Sequence, residues 1–347
     1  MEKKFNIGVI GAGMWGHKHI ETLQRSGRAE VSWIAAKTEK TVSETKEKFK
    51  IPKGTTDYKD ILKDPDVDAV IITSPPYTHA EIAIDTINAG KNFVLEKPMV
   101  IKRSEMKKLL ALEKKTKNLV ILEASCRHTR LQPKFEFIKN IIKSGKLGEI
   151  YYIHHNHLTQ GTFVEYNPKG QWGMNKKFAG GGPFFDWGAY DLSFHLGLLD
   201  DKPCIKKVSS LFIRNDLRDL SSLVPVADVE QHGVAMLEFD TGLKYYYERG
   251  GGVHCETANE TRIYGTKGGL KFSFPTWESN DVEFFYIDPQ GRPVKEILKI
   301  PMQDYCNDDN VPFIDHFLDC LEKKAKPIMP LSLAAKHLDI IFRIFEN

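Results

Sequence analysis

Residues 5–26, FNIGVIGAGMWGHKHIETLQRS, decide how this chain folds. Phe5–Ile10 is an apolar run of strand length, and Met14–Ser26 has the spacing of a helix. Between them Gly11, Gly13 and Gly16 make a G-x-G-x-x-G loop. Each glycine suits its place for a separate reason: a tight turn, a close backbone approach to a pyrophosphate, and close packing of helix on strand. The amides of Met14, Trp15 and Gly16 then face phosphate oxygens at the helix N-terminus. In a strand–loop–helix frame the motif predicts dinucleotide binding. The alternative is three glycines that serve only a turn.

Outward from this loop the same alternation continues. Strands are expected at Val31–Ala36, Asp68–Thr73, Asn92–Leu95 and Asn118–Glu123. Helices are expected at Thr38–Lys50, Thr78–Ala89 and Lys102–Lys115, with Gly90 ending the second of these. Such alternation predicts βαβ units and a doubly wound parallel sheet. Beyond about residue 125 the pattern changes. A helix at Pro133–Ser144 precedes a glycine-rich, aromatic stretch from Gly161 to Gly182. Strands with short turn signals then fill Ile205–Ile300, and two helices separated by Pro327 and Pro330 fill Val311–Glu346. We therefore expect a Rossmann domain over 1–125 and an α+β domain with a mostly antiparallel sheet over 126–347.

Composition narrows the function classes. A chain of 347 residues suits two domains and builds a core without staples. A net charge of +3 gives no reason to expect nucleic acid or an anionic membrane as partner. Cys126, Cys204, Cys255, Cys306 and Cys320 form no C-x-x-C pair and read as free thiols of a reducing, cytoplasmic compartment. The apolar run near the N-terminus is too short for a signal peptide, and no stretch approaches the roughly 18 apolar residues of a membrane span.

NAD enzymes hold the ribose hydroxyls with an acid about 20 residues past the loop. Here that region reads Ala36-Lys37-Thr38-Glu39. A lysine and a hydroxyl favour a 2′-phosphate, so Lys37 and Thr38 point to NADP over NAD. A solvated lysine at a helix start is the alternative, and Glu39 stays a candidate for the ribose.

Two further clusters carry chemistry. Glu96-Lys97-Pro98 follows a strand directly, at the carboxyl edge of the sheet where ligands bind in such folds. A lysine there suits a substrate hydroxyl and its alkoxide; an ordinary surface lysine is the other reading. The second cluster is GGGPFFDWGAY, residues 180–190. A helix starting near Asp186 puts Asp186 and Tyr190 at i and i+4 on one face. With a lysine cation nearby, a carboxylate and a phenol form a proton-transfer group. Asp186 as a helix cap and Tyr190 as core is the alternative. His195, four residues after Asp191, is expected to pair with it on another face.

Together these residues resemble the glucose–fructose oxidoreductase / inositol dehydrogenase / rhizopine-catabolism (GFO/IDH/MocA) family. The resemblance rests on IGVIGAGMWGHKHI, SPPYTHAEIAIDTINAGKNFVLEKPM, KSGKLGEI and GGGPFFDWGAYDL, in order along nearly the whole chain. It implies a Rossmann domain, a second domain with a large open-faced sheet, assembly as a homodimer or homotetramer, and hydride transfer between nicotinamide and a sugar, polyol or related hydroxyl compound. Lys97 would match the family lysine and Asp186 the family aspartate. Many members carry histidine where this chain has Tyr190, and some sugar and dihydrodiol dehydrogenases carry tyrosine. Ser74, Pro75, Pro76 and His79 match the loop beside the cofactor, and Glu96 belongs to the same EKP motif.

Weaker signals lie in YYIHHNH, residues 151–157, where His155 and His157 share one face of a strand. Two histidines at that spacing suit zinc, but no third ligand is evident and no metal is expected. Arg127, His128, His155, Gln160 and Trp172 are candidate substrate contacts, since a polar sugar needs donors, acceptors and an aromatic platform. The expected activity is NAD(P)-dependent oxidation of a secondary hydroxyl on a sugar, polyol or cyclitol. Two alternatives are a glycosidase that uses hydride transfer transiently and a cofactor-sensing regulator without turnover.

Overall fold

The computed structural model describes residues 4–275, 277–300 and 308–346. Among these residues fourteen strands and eleven α-helices follow in chain order. They are β1 (Phe5–Ile10), α1 (Met14–Ser26), β2 (Ala29–Ala35), α2 (Glu39–Phe49), β3 (Lys53–Thr55), α3 (Lys59–Lys63), β4 (Ala69–Ile72), α4 (His79–Asn88), β5 (Asn92–Leu95), α5 (Arg103–Glu113) and β6 (Ile121–Glu123). Then come α6 (Pro133–Lys143), β7 (Ile150–Thr159), α7 (Phe163–Tyr166), α8 (Lys176–Ala179), α9 (Pro183–Leu198), β8 (Ile205–Arg214), β9 (His232–Phe239) and β10 (Lys244–Gly251). The chain ends with β11 (Glu260–Gly265), β12 (Gly268–Phe272), β13 (Asp281–Ile287), β14 (Pro293–Lys299), α10 (Asn310–Leu321) and α11 (Leu331–Glu346).

The chain divides into two compact units, Met1–Arg127 with Asp308–Lys336, and His128–Asn307 with His337–Asn347. The division differs from an uninterrupted second domain over 126–347. Residues 308–336 join the first unit because α10 lies on α1. Arg28 donates to Asp319 at 2.6 Å and to Glu322 at 3.1 Å, and Asn310 Nδ2 donates to Thr22 Oγ1 at 2.9 Å. These partners lie almost 300 residues apart, so no local pattern announces them.

In the first unit six parallel strands run in the order β3-β2-β1-β4-β5-β6. Ile7, Val9, Ile34, all of β4, and Phe93–Leu95 are fully buried. Burial on both faces explains why these strands read as continuous apolar runs. The order reverses between β1 and β4, and at such a switch point the carboxyl ends leave a crevice for ligands.

In the second unit eight strands run in the order β14-β13-β12-β11-β7-β10-β9-β8, antiparallel except for the β7–β10 pair. Along β10 the pleat sends Tyr245, Tyr247 and Arg249 inward, where they are buried, while Lys244, Tyr246 and Glu248 alternate to the other face. α9 covers the inner face: Phe184 meets Tyr247 at 4.9 Å, and Phe194 meets Phe274 at 5.1 Å. The described cysteines, Cys126, Cys204, Cys255 and Cys320, are free thiols; Cys306 lies outside the described residues. No helix among the described residues is long and apolar enough to cross a membrane.

Candidate active site

In the first unit the glycine loop leads into the uncapped start of α1. Gly11 has φ +115°, and a Cβ there would lie 2.7 Å from Ser74 N and from the carbonyl carbon of Thr73. A Cβ on Gly16 would lie 2.0 Å from Gly11 O. Both glycines are demanded by the chain itself. Gly13 is not: its backbone is extended (φ −83°, ψ −169°) and a Cβ there would meet no atom within 4 Å. Thr73 Oγ1 donates to Gly11 O at 2.8 Å and pins the loop. α1 has no side-chain cap and no acid in its first turn, so its first amides keep their positive field. Met14 is 57% exposed beside them. This arrangement fits a dinucleotide pyrophosphate.

At the end of β2, Lys37 is exposed and pairs with no described residue. Thr38 caps α2, accepting from Thr41 N at 3.2 Å, so its hydroxyl has a structural task. Glu39 accepts from Thr56 Oγ1 at 3.4 Å.

Behind the loop lies a buried polar chain. Arg127 sits 3.6 Å over the Trp15 ring and forms an ion pair with Glu96. Glu96 also accepts from His19 Nε2 at 2.8 Å and from the Lys97 amide at 3.2 Å. Burial opposes its charge, yet the Arg127 guanidinium and His19 hold the carboxyl far below its usual range. His19 is itself held below its ordinary pKa by burial, despite Glu96. Trp15, Arg127 and Glu96 thereby fix the backbone that carries Lys97, which is half-buried. Arg127 is 0% exposed, so the arginine expected at the substrate instead braces Glu96. Glu96 is likewise enclosed by protein partners, and Trp15 offers its amide while its ring serves Arg127.

His79 is also a strut. Its Nδ1 lies 2.9 Å from Pro98 O and its Nε2 2.7 Å from Ser74 O. The ring ties the Ser74-Pro75-Pro76 turn to the segment after Lys97, and burial keeps it below its ordinary pKa. The sequence reading missed Glu123, beside Leu95 in the sheet register. Burial pushes its carboxyl up to about 7, while its Oε2 accepts from Ser125 N at 2.7 Å. Its signal was a carboxylate ending an apolar strand.

In the second unit α9 begins at Pro183, three residues before the expected start. Proline suits the first helical position because its missing N–H has no partner there. The cap comes from far along the chain: Glu230 accepts from Gly182 N at 2.6 Å and Phe184 N at 2.9 Å. Burial pushes Glu230 up to about 7. A Cβ on Gly182 would lie 2.2 Å from Glu230 O, which explains that glycine.

Asp186 and Tyr190 share one face of α9. Asp186 is half-buried; Tyr190 is 2% exposed, its ring 4.8 Å from His128 and 5.6 Å from Trp187. Beneath them Asp191 and His195 do not bond to each other as expected. Asp191 accepts from Arg249 at 2.7 and 2.5 Å and from Tyr247 Oη at 2.7 Å. His195 meets Tyr245 Oη at 2.7 Å and Thr261 Oγ1 at 2.8 Å. His155 joins the same layer, bonded to Thr261 Oγ1 at 2.9 Å and buried. Its strand position turns it toward α9. His157 Nδ1 lies 2.5 Å from Arg249 NH1, and burial with the Arg249 charge brings it down to about 3. Trp172 packs against Phe163 and a small core of Val164, Met174, Ala179, Leu220, Val224 and Val229. Arg249 and Trp187, 5.0 Å apart, were not foreseen; the alternation of Tyr245, Tyr247 and Arg249 was the signal.

Residues 5–124 match the model of an oxidoreductase family with an NAD-binding Rossmann fold, and residues 135–271 match the GFO/IDH/MocA C-terminal domain. Levoglucosan dehydrogenase of Pseudarthrobacter phenanthrenivorans is 25% identical over 327 residues, 87% of this chain and 82% of that protein. Trans-1,2-dihydrobenzene-1,2-diol dehydrogenase of Bos taurus is 25% identical over 346 residues, 96% of this chain and 94% of that protein. Among solved structures, levoglucosan dehydrogenase in complex with NADH has the same fold, with a TM-score of 0.82 at 20% identity over 99% of this chain and 96% of that one.

Proposed function

The chain belongs to the GFO/IDH/MocA family of NAD(P)-dependent oxidoreductases, and from that membership we propose that it oxidises a secondary hydroxyl on a sugar, polyol or cyclitol. The observation that carries the reading is the bare opening before Gly13 at an uncapped helix start, a place for a dinucleotide that the fold itself does not use. When bound, nicotinamide accepts or returns the hydride. The protein does the rest. Lys97 is the cation that favours the substrate alkoxide. Tyr190, as phenolate, takes the hydroxyl proton, and Asp186, one helical turn before it, orients the group. Ser74 and Pro75 line the cofactor's side of the first unit, with His79 as their support.

We assign NADP as the preferred cofactor, because Lys37 stands free where a ribose-binding acid would repel a phosphate. We also assign a homodimer or homotetramer of a cytoplasmic enzyme. Support for assembly comes from Leu211, Phe212, Phe285, Ile287 and Ile297, large apolar residues left exposed along the eight-stranded sheet.

The test is a panel assay of purified protein with NAD or NADP and a set of sugars, sugar acids and cyclitols, read as reduced nicotinamide. Turnover with a cyclic alcohol and faster reaction with NADP is the expected result. Tight cofactor binding with no turnover would favour the regulator, and release of a leaving group without net reduction would favour the glycosidase. Light scattering reads the assembly.

A further inference from the structure

The connection from β12 to β13, residues 273–280, carries an unusual anchor. Lys134, in the first turn of α6, is 2% exposed. Its Nζ lies 2.9 Å from each of Ser273 O, Pro275 O and Ser279 O. An ammonium has three N–H donors, and three carbonyls on one loop take them. The loop is further tied by Ser273 Oγ to Glu278 at 2.5 Å and by Asp281 N to Ser279 Oγ at 3.1 Å.

What this anchored loop holds out is Trp277, 58% exposed. Its ring meets His128 at 5.3 Å and 87° and Trp187 at 6.1 Å and 68°, both edge contacts. His128 and Trp187 are the two rings that flank Tyr190. These two ring contacts seat the indole against its neighbours, yet more than half of the residue's surface stays open to solvent. A tryptophan needed only for the core would be buried; one on a mobile loop would have no buried lysine beneath it. An exposed ring that touches two other rings, one neighbour away from the proposed proton acceptor, is the form of a binding surface.

We propose that Trp277 is a substrate-binding residue whose indole stacks on the apolar C–H face of a ring-shaped sugar or cyclitol. The inference rests on the reading of the chain as a dehydrogenase of such alcohols and narrows it: the substrate is cyclic, because an open-chain polyol presents no flat C–H face. The ring's hydroxyl edge stays free for Asp186 and Tyr190.

The test uses the full chain and the Trp277→Ala and Trp277→Phe variants. Trp277 sits on the surface, so both should fold; matching melting curves check this. Calorimetric titration with myo-inositol, glucose and sorbitol comes first, because it needs no turnover. Removing one stacking face should weaken binding of the best cyclic ligand about 10–100-fold in Trp277→Ala and less in Trp277→Phe. In kinetics the same change should appear mainly in KM, with cofactor affinity unaltered. Cyclic ligand bound equally by wild type and Trp277→Ala would overturn the proposal. So would a wild type that binds sorbitol but neither ring, or none of the three. If the ring binds through Trp277 but no hydride is transferred, the platform stands and the dehydrogenase reading fails.

Discussion

Gly13 and Gly16 stand three residues apart in one loop, and the structure predicts opposite outcomes when each becomes alanine. A methyl on Gly16 would sit 2.0 Å from Gly11 O, a backbone atom that moves only if the loop or α1 moves. Overpacking of that kind costs about 2–3 kcal/mol. For a domain of this size, roughly 2–4 °C of melting temperature accompanies each kcal/mol, so Gly16→Ala should lose about 4–12 °C. A methyl on Gly13 meets no atom within 4 Å, and its extended backbone suits any residue. The smaller entropy of the unfolded chain and the weaker cap nearly cancel, leaving Gly13→Ala within about 1 kcal/mol of wild type. Its cost should appear in binding, where the methyl occupies the approach to the first amides of α1. A loss of about 10–100-fold in dinucleotide affinity is expected, or about 1.4–2.8 kcal/mol. Thermal melts of the free proteins and a fluorescence titration with NADH and NADPH read both quantities. Full dinucleotide affinity in Gly13→Ala would refute the reasoning, because the space before Gly13 would then have no ligand to explain it. Equal destabilisation by both substitutions would refute the account of the loop.

Three other outcomes follow from the sites. Lys97→Ala should lower kcat at least about 100-fold while leaving dinucleotide affinity within about threefold, since its proposed task is at the substrate hydroxyl; equal losses in both would remove that role. Asp191→Asn leaves Arg249 buried without its carboxylate and should cost about 3–5 kcal/mol in urea unfolding, whereas a loss below about 1 kcal/mol would show the network to be slack. Glu230 has its pKa raised from 4.5 to about 7 by burial, so between those values the native chain holds a proton that the unfolded chain has released. Its contribution is therefore greatest at low pH and is lost as pH rises from about 5 to 7, by about 3 kcal/mol in all. Glu123 acts in the same direction, so Glu230→Gln should remove about half of that slope, and an unchanged profile would reject the assignment.

The sequence made the first unit legible because its signals are local. β1 and α1 have the bounds expected from apolar spacing, and β5 likewise spans Asn92–Leu95. β3 was missed because Lys53-Gly54-Thr55 has no apolar residue to mark it; it is held at the sheet edge by pairing with β2. β2 starts at Ala29, ahead of Val31, where parallel pairing with β1 extends the strand beyond its apolar run. In each case tertiary pairing set a boundary that propensity leaves open.

The site residues divide along the same physical line. The turn at Gly11, Gly13 and Gly16 was legible because a turn of that kind is written in adjacent residues. Arg127 and His155 could not, because their charge and polarity suggested a solvent-facing ligand while their partners, Glu96 and Thr261, lie 31 and 106 residues away. A buried polar side chain and a substrate-binding one look alike in sequence: both are polar groups set among apolar neighbours. They differ only in whether the protein supplies the partner. Glu96, His79 and Asp191 have theirs inside the chain, so they hold elements in place. Gly13, Lys37 and Trp277 turn features toward solvent that the fold does not use. A group left unspent by the fold is the better guide to where ligands bind, and the proposed cofactor and substrate sites are therefore tested most directly at Gly13 and Trp277.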